Sequence, residues 1–291
     1  MSAAIAVVIV NFNAGEALDA TLRSLAGGLQ GRPWEAVVVD NASTDGSEAA
    51  VARVGDSHVR LVRRSANEGF ARGVNTGIAA TTGPLVLVLN PDCVLTMGAG
   101  SLLAAELERH ARCAIVGPRI LDTDGTLQQS ARGDPTLLTG LFGRRGLLSR
   151  WFPAARVVRR NLAAAEAVRS SGSSMAVDWV SGACMLARRE ALFAVGGFDE
   201  RYFLYWEDAD LCRRLRNAGW HVRYVGGAVV THQVGRSSHS ARSLAIREFH
   251  RSAYRYYITH VIPQRWHPGR PVAWAILSAR RAWKQMAADR N

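Results

Sequence analysis

The chain of 291 residues is long enough to bury one large hydrophobic core, and its content of 48% hydrophobic and 21% charged residues excludes wholesale disorder. The net charge is 36 − 24 = +12, which favours phosphate-rich partners such as a nucleotide, a nucleic acid or an anionic membrane. Four widely spaced cysteines argue against a zinc site or a disulfide framework, and no apolar run approaches the ~20 residues of a membrane span.

Strand-like and helix-like patterns alternate over the first ninety residues. Continuous apolar runs predict buried strands at 5–10, 36–39, 59–62 and 85–89. Helical patterns lie between them at 17–25, 48–53 and within the glycine-rich stretch 67–77. The polar cluster that follows the second strand is expected to cap the second helix. This order indicates right-handed βαβ units and a parallel sheet.

The strand at 85–89 ends abruptly at Asn90-Pro91-Asp92. Proline has no N–H to continue a ladder, so Asp92 is expected at the carboxyl end of the strand, where open α/β sheets bind ligands. A carboxylate in this position can hold a hard divalent cation that in turn binds a diphosphate. The alternative is a turn in which Asp92 only caps the next helix. No GxGxxG follows the first strand, which argues against a nicotinamide or flavin enzyme.

The second half of the chain is less regular. Its pattern predicts a helix at 99–110 and strands at 114–118, 177–186, 222–225 and 229–232. Gly182 falls inside the strand predicted at 177–186, where a glycine permits the close approach of a ligand. Three carboxylates, Glu207, Asp208 and Asp210, stand at the start of a predicted helix. Because one carboxylate would be enough to answer the helix dipole, three beside an aromatic run indicate a functional site.

Eight short motifs occur in one order between residues 5 and 240: Val8–Asn13, Val38–Ser47, Asn67–Asn75, Asn90–Asp92, Ser181–Ala183, Gly197–Glu200 with Phe203, Glu207–Leu211 and His232. In this order they resemble the motifs of family 2 glycosyltransferases, most of all bacterial rhamnosyltransferases of cell-surface polysaccharide synthesis. The resemblance implies a GT-A fold, an α/β fold whose mostly parallel central sheet is flanked by helices. It also implies a nucleotide-sugar-binding half at 1–118, continuous with an acceptor-binding and catalytic half at 119–240, followed by a basic helical tail at 241–291.

The resemblance further implies transfer of a sugar from a nucleotide diphosphate with inversion at the anomeric carbon. Asp208 would be the general base, and Asp92 with Mg²⁺ or Mn²⁺, aided by His232, would hold the diphosphate. Asn90 stands where the family usually has the first aspartate of its metal-binding motif, which removes one charge from the metal site. Donor binding is expected of Val10, Phe12, Asp40, Asn41, Arg72 and Asn90. Acceptor or sugar binding is expected of Trp179, Gly182 and Glu207.

Two of these assignments have alternatives in the residues themselves. His232 ends an apolar strand and is equally consistent with a satisfied structural histidine. Arg72 is equally consistent with a solvated surface side chain.

The same resemblance implies dTDP-rhamnose as the donor and a polyprenyl-diphosphate-linked or other glycan as the acceptor. A UDP- or GDP-sugar donor is one alternative, and a non-catalytic nucleotide- or glycan-binding module is another. The cluster of carboxylates disfavours nucleic acid as a partner, because it would repel phosphates. The sequence leaves a homodimer open.

A location on the inner face of the cytoplasmic membrane follows from the basic segments. From Ala241 to Asn291 there are ten basic and two acidic residues, or +8, together with several aromatic residues. The stretch 132–169 holds eight arginines and two acids, with Phe142, Leu147 and Trp151 among them. Both segments are expected to contact an anionic membrane surface. The alternative for the stretch 132–169 is an ordinary loop packed on the protein surface, and the alternative for the tail is that its aromatic residues pack on the catalytic domain.

Overall fold

The computed structural model describes residues 2–128, 130–134, 174–233 and 242–288. Most of the arginine-rich stretch 132–169 lies outside the described residues. The membrane contact expected of Phe142, Leu147 and Trp151 therefore stays a prediction.

The chain folds into strands and helices in an order close to the predicted one. The strands are Ile5–Asn11 (β1), Trp34–Asp40 (β2), Val59–Arg63 (β3), Leu85–Leu89 (β4), Cys93–Leu95 (β5), Cys113–Leu121 (β6), Leu127–Gln128 (β7), Ala131–Arg132 (β8), Ser174–Val177 (β9), Trp179–Val180 (β10), Cys184–Arg188 (β11) and His221–His232 (β12). The α-helices are Ala17–Gly28 (α1), Ala50–Val54 (α2), Phe70–Ala79 (α3), Ala99–Arg109 (α4), Arg189–Ala194 (α5), Glu207–Asn217 (α6), Arg242–Tyr256 (α7) and Gly269–Ala288 (α8). A 3₁₀ turn precedes α2 at Ser47–Ala49, and a π-helix follows α7 at Tyr257–Val261.

The strands β3, β2, β1 and β4 lie side by side and parallel, as the alternating pattern predicted. Beyond β4 the sheet continues as β11, β6, β12 and β5, and β11 runs antiparallel to both of its neighbours. β7 and β9 add to this ten-stranded sheet, while β8 and β10 form a separate pair. The expected boundary at residue 118 falls inside β6, so the two predicted halves share one sheet. Their division remains a prediction.

The core fills both faces of the sheet, because successive side chains of a strand point to opposite faces. Ile5, Val7 and Ile9 of β1 belong to one buried cluster, and Val8 and Val10 belong to the other. All five side chains are 6% exposed or less. A strand that is buried on both faces reads as a continuous apolar run, and for this reason β1 and β4 were recognisable from the sequence.

The glycines of α3 allow this helix to lie directly on β1. A Cβ atom at Gly77 would stand 2.3 Å from Val8 Cγ1, and one at Gly73 would stand 2.7 Å from Val10 Cγ1. Any larger side chain at either position would push α3 away from the sheet. The glycine-rich pattern of this segment therefore reflects close helix–strand packing.

Three predictions about local structure were wrong. The strand expected at 177–186 is broken at Asp178 and again at the turn Ser181–Ala183, so Gly182 lies in a turn and not inside a strand. The two strands expected at 222–225 and 229–232 form the single strand β12, whose register shifts between Val225 and Val229. The polar cluster after β2 does not cap a helix, because the residue before the 3₁₀ turn is Gly46 at φ 74° and makes no side-chain cap.

Candidate active site

One wall of the site is the tight turn that ends β4. The N–H of Cys93 donates to the Asn90 carbonyl at 3.2 Å, which closes the turn around Pro91, and the Thr21 hydroxyl of α1 donates to the Pro91 carbonyl at 2.8 Å. Asp92 is buried in this turn. β5 follows at once and pairs with β12 so that Cys93 lies opposite His232. This pairing brings Asp92 Oδ1 to 3.2 Å from His232 Nε2.

The hydrogen bonds of Gln128 orient the His232 ring. The Gln128 amide nitrogen donates to Asp122 at 2.7 Å and to the His232 carbonyl at 3.1 Å, so its oxygen faces His232 Nδ1 at 3.0 Å. Nδ1 therefore donates to Gln128, and Nε2 faces Asp92. Asn90 completes this wall, with its amide nitrogen 3.5 Å from the same Nε2.

The residues of this wall fit a divalent cation. Among the described residues, the buried Asp92 Oδ1 has no hydrogen-bond donor, since its contact with His232 lacks hydrogen-bond geometry. Asp92, Cys93 and His232 offer three potential ligand atoms within 4.8 Å of one another. Cys93 is the weakest of them, because burial raises the pKa of its thiol well above the ordinary value and its sulfur donates to the Ala183 carbonyl at 3.3 Å. A carboxylate oxygen, which suits Mg²⁺ or Mn²⁺, and an imidazole nitrogen remain.

The opposite wall is the first turn of α6, which carries Asp208. The Asp208 carboxylate accepts the Gly182 N–H at 2.9 Å through Oδ2 and the Ala209 N–H at 2.7 Å through Oδ1. Its place at the helix N-terminus favours the ionised carboxylate, because the helix dipole is positive there. A charged carboxylate at the rim of a site is the form that a general base needs.

The turn Ser181–Ala183 joins the two walls. The Ala183 carbonyl accepts the Asn90 N–H at 2.8 Å, while the N–H of its neighbour Gly182 donates to Asp208. A Cβ at Gly182 would stand 3.4 Å from Asp208 Cβ, so this turn passes close to the carboxylate. One short segment therefore brings the ends of β4 and α6 into a single site.

Glu207 is the buried neighbour of Asp208, only 5% exposed. Burial raises its pKa well above the ordinary value, and the charge of Asp208 raises it further. Burial therefore disfavours the charged form of Glu207, and its Oε2 has no hydrogen-bond partner among the described residues. Asp208, which accepts two backbone N–H groups at the start of the helix, is the better candidate for a base.

The ends of β1 and β2 form a polar floor. Asn11 donates from its amide to Asp40 at 2.8 Å and to Ser47 at 2.8 Å, and Asp40 also accepts the Ser43 N–H at 3.1 Å. Asn41 donates to the Gly69 carbonyl at 3.0 Å. The predicted donor residues Asp40 and Asn41 therefore lie together at the carboxyl edge of the sheet.

The other predicted site residues have different surroundings. Val10 contributes its side chain to the core under α3, and Phe12 is partly buried just beyond the end of β1. Arg72 forms ion pairs with Glu68 at 2.5 Å and Glu200 at 2.8 Å. Arg72 is thus neither a merely solvated side chain nor one with a free guanidinium, and it links α3 to the segment before α6.

Trp179 lies on β10, which ends just before the turn that carries Gly182. Its indole nitrogen donates to the Gly133 carbonyl at 3.1 Å, and the ring packs near the aromatic cluster of Tyr202 and Tyr256.

The C-terminal tail contributes residues to this site that sequence reasoning missed. His260 of the π-helix places Nε2 2.7 Å from Asp210, which is 1% exposed and two residues beyond Asp208. Arg214 donates to the same carboxylate at 2.7 Å. No local signal marks these partners, because His260 and Asp210 are fifty positions apart in the chain.

Aromatic rings of the tail also hold the residues that precede α6. Tyr205 and Trp206 have φ values of 67° and 71°, a region that disfavours residues other than glycine. The Trp206 ring lies 5.2 Å from the Tyr256 ring and 5.9 Å from the Phe249 ring. These contacts stabilise the strained segment from which α6, and with it Asp208, begins.

A parallel strand core with carboxylates at the end of β4 and at the start of α6 is the arrangement that the sequence motifs led us to expect of a glycosyltransferase of the GT-A fold. The chain belongs to glycosyl transferase family 2: residues 6–163 match the model of "Glycosyl transferase family 2", and residues 136–286 match that of "Glycosyl transferase family group 2". No helix of the described ranges is both long and apolar enough to cross a membrane.

Curated relatives agree with this family. The chain is 36% identical over 268 residues, 87% of its own length and 84% of the relative's, to the N-acetylglucosaminyl-diphospho-decaprenol L-rhamnosyltransferase of Mycobacterium tuberculosis. It is 40% identical over 84 residues, 29% of the chain and 32% of the relative, to the rhamnosyltransferase WbbL of Escherichia coli.

Solved structures confirm the predicted fold. The mannosyltransferase PcManGT of Pyrobaculum calidifontis, solved with GDP-Man and Mn²⁺, superposes over 96% of this chain and 71% of its own with a TM-score of 0.57 at 18% identity. GalNAc-T7, solved with UDP, GalNAc and Mn²⁺, superposes over 79% of this chain and 44% of its own with a TM-score of 0.58 at 18% identity.

Proposed function

We propose that this glycosyltransferase transfers L-rhamnose from dTDP-rhamnose to a hydroxyl of a polyprenyl-diphosphate-linked N-acetylglucosamine, with inversion at the anomeric carbon. The observation that carries the proposal is the 36% identity, over 87% of the chain, to a relative named for this reaction. The site supports it, because the turn Ser181–Ala183 is hydrogen-bonded both to Asp208 and to the turn that carries Asp92.

In the proposed reaction the acceptor oxygen forms a bond to the anomeric carbon while the bond from that carbon to the diphosphate breaks. Asp208 takes the proton of the attacking hydroxyl, and the bonding pair leaves with the nucleotide diphosphate. The Gly182 N–H holds the carboxylate in place during this transfer. Glu207, whose pKa is raised by burial and whose Oε2 is unpartnered among the described residues, would donate a hydrogen bond from its protonated form to a sugar hydroxyl.

Asp92 and His232 would hold Mg²⁺ or Mn²⁺ on the opposite wall. When bound, the metal would supply positive charge to the diphosphate. Asn90 contributes no charge to this wall, so the described residues supply one carboxylate and one imidazole there. Asp40 and Asn41 lie at the carboxyl edge of the sheet, the position where a nucleotide base binds in open α/β folds.

A lipid-linked acceptor places the reaction at a membrane surface. We accordingly propose that the chain works at the inner face of the cytoplasmic membrane, attached peripherally. We propose no nucleic-acid partner for this chain.

A donor and acceptor screen on the purified full chain tests the proposed function. It would contain dTDP-rhamnose, UDP-sugars and GDP-sugars, each with and without a water-soluble N-acetylglucosaminyl-diphosphate with a short alkyl chain. We expect release of dTDP only when the acceptor is present, and a product heavier by one deoxyhexose. Preferential use of a UDP- or GDP-sugar would contradict the donor assignment, and binding without turnover of any donor would favour a non-catalytic module.

A further inference from the structure

Near its end, α8 carries three cations on one side. At 100° per residue Arg280, Arg281 and Lys284 lie on the side that also contains the buried Ala273 and Leu277. Lys284 is four positions from Arg280 and three from Arg281, and like charges at these spacings destabilise a helix. We call Arg280, Arg281 and Lys284 the cation cluster.

No acidic side chain of the described residues neutralises the cation cluster. The chain has no Asp or Glu from residue 249 to residue 288, and none of the three cations has a carboxylate partner in the described ranges. The arginines of α7 differ, because Arg247 and Arg251 form ion pairs with the buried Glu248 at 3.1 and 3.7 Å. A bound anion would remove the repulsion within the cluster.

A buried histidine of α7 lies beside the cation cluster. His250 is 4% exposed, and its Nδ1 donates to the Ile246 carbonyl of its own helix at 2.7 Å. Its Nε2 is buried and has no hydrogen-bond partner among the described residues. Burial lowers the pKa of His250 below its ordinary value, and the charges of the cluster lower it further. The cluster and a polar atom without a partner therefore lie together where α7 packs on α8.

One aromatic ring connects the cation cluster with the start of α6. Lys284 Nζ lies 5.9 Å from the centre of the Phe249 ring, and the centre of that ring lies 5.9 Å from the centre of the Trp206 ring. Trp206 directly precedes Glu207 and Asp208. The cluster thus lies two ring contacts from the segment that begins the helix of the proposed base.

The proposed reaction contains two diphosphates. One leaves with the nucleotide and is assigned to the wall of Asp92 and His232. The other joins the acceptor sugar to its polyprenol. Because the hydroxyl of that sugar meets Asp208 in the proposed reaction, the acceptor diphosphate is only one sugar ring away from this carboxylate. It therefore needs cations of its own near the start of α6.

The arginines of α6 itself are already paired. Arg213 and Arg216 form ion pairs with Asp134, and Arg214 pairs with Asp210 at 2.7 Å. An anion would have to compete with these carboxylates for the arginines. The cation cluster of α8 has no such competitor in the described residues.

We propose that Arg280, Arg281 and Lys284 bind the diphosphate of the lipid-linked acceptor, with His250 facing it from α7. Guanidinium groups suit this ligand, because they form paired hydrogen bonds to phosphate oxygens. The inference rests on the proposed function, since it places the acceptor of that reaction on the chain. A phosphate of an anionic lipid headgroup has the same chemistry, and the experiment separates the two sources.

The titration of His250 tests the site without a substitution in it. NMR on the full chain labelled in its histidine rings would follow the pKa, and a spectrum of His250→Gln would identify the resonance. A water-soluble N-acetylglucosaminyl-diphosphate with a short alkyl chain should raise this pKa, because its charge offsets that of the three cations. The alkyl glycoside of N-acetylglucosamine, which lacks the diphosphate, should leave the pKa unchanged.

Two outcomes of the titration would overturn the proposal. One is the same pKa with both ligands. The other is a rise with phosphatidylglycerol vesicles but not with the soluble diphosphate, which would assign the cation cluster to a lipid headgroup.

The selectivity between the same two acceptors gives a kinetic test. The ratio of their kcat/KM values should favour the diphosphate in the wild type. Arg280→Gln with Lys284→Gln should lower this ratio about tenfold or more, through a higher KM for the diphosphate acceptor. Arg23→Gln with Arg53→Gln is the matched control, because it removes the same charge from side chains that are 60% and 51% exposed beside Asp19.

An unchanged ratio in the variant of the cation cluster, or an equal loss in the control, would contradict the proposal. Rhamnose transfer with the same kcat/KM to both acceptors would refute this site and leave the proposed function intact. A wild type whose His250 responds to the diphosphate, but which transfers no rhamnose, would refute the proposed function alone.

Discussion

At the scale of single residues, the proposed mechanism depends most on Asp208. An asparagine in its place can still accept the Gly182 N–H through its side-chain oxygen, but it cannot take a proton from the acceptor. We therefore expect Asp208→Asn to abolish nearly all transfer while nucleotide binding stays close to wild type. Turnover and nucleotide affinity measured on the same preparation would check this. A variant that keeps more than about a tenth of wild-type turnover, a loss of only ~1.4 kcal/mol, would exclude Asp208 as the base.

The metal ligands give a second prediction at this scale. Asp92→Ala removes the carboxylate that faces His232 among the described residues, so nucleotide diphosphate should bind more weakly in Mg²⁺ or Mn²⁺. Titration calorimetry with and without the metal would measure the difference, and a chelator should have the same effect on the wild type. Asp124→Asn is the control, because that exposed carboxylate bonds only within its own turn. Full transfer in excess EDTA would exclude the metal.

Glu207 gives a prediction about stability and pH. Its pKa in the folded chain is raised above its ordinary value of 4.5, so its contribution to stability is complete below that value and is lost as the pH rises towards the folded-state pKa. Glu207→Gln cannot ionise and does not lose this contribution. The unfolding free energy of the variant relative to wild type should therefore increase with pH, by at most about 1.4 kcal/mol per pH unit.

Urea denaturation between pH 5 and pH 8 would measure this difference. Because the charge of Asp208 contributes to the raised pKa, the same comparison in an Asp208→Asn background should show a smaller increase. A difference between variant and wild type that is independent of pH would contradict the raised pKa of Glu207.

At the scale of elements, the π-helix holds the start of the helix that carries the proposed base. His260→Ala removes one of the partners of the buried Asp210, which should lower the unfolding free energy by about 1–3 kcal/mol. Since Asp208 is in the same helical turn, we expect kcat to fall more than KM rises. His260→Gln, whose amide can still donate to Asp210, should recover part of kcat.

His58→Ala is the control for that experiment, because the His58 side chain is 57% exposed and lies on another part of the molecule. A loss of stability with unchanged kcat would show that His260 has a structural role only. Recovery of stability but not of kcat by His260→Gln would lead to the same conclusion.

The elements also show which parts of the fold the sequence could predict. β1 and β4 are buried on both faces, so their patterns were continuous and unambiguous. The segment 177–186 is also largely apolar. The chain nevertheless turns there, because the Ser181 N–H donates to the Ser130 carbonyl and the Gly182 N–H donates to Asp208. Both partners are distant in sequence, and no local pattern of strand propensity contains them.

The site residues also divide into those that the sequence could predict and those that it could not. Asp92 and Asp208 were recognisable because each stands where an apolar or aromatic run gives way to polar residues, at the end or the start of an element. The arrangement of His232 depends on Gln128 and on the pairing of β5 with β12, which is a long-range feature of the sheet. The sequence indicated Asp210 only as one member of the acidic cluster. Its partner His260 lies on a π-helix, and no periodicity of the sequence predicts that helix.

At the scale of the whole molecule, a series of hydrogen bonds connects the nucleotide edge of the sheet to the tail. Asn41 donates to the Gly69 carbonyl at 3.0 Å, and the next residue, Phe70, donates from its N–H to the Phe203 carbonyl at 2.7 Å. Ser252 of α7 donates to the Leu204 carbonyl at 3.0 Å. Gly69 cannot be replaced without loss, since its φ is 92° and a Cβ would stand 2.4 Å from the Phe203 oxygen.

This connection predicts that a ligand at the edge of the sheet changes the tail. We expect dTDP to slow amide hydrogen exchange at residues 67–70 and 203–206, and also at 249–260, because ordering of Asn41 restrains each later segment in turn. Exchange followed by mass spectrometry on the full chain, with and without dTDP, would measure it. Ser252→Ala removes only the last bond, so protection of 249–260 should decrease while protection of 203–206 remains. Protection confined to residues 5–13 and 34–47 would show that the hydrogen bonds do not transmit nucleotide binding.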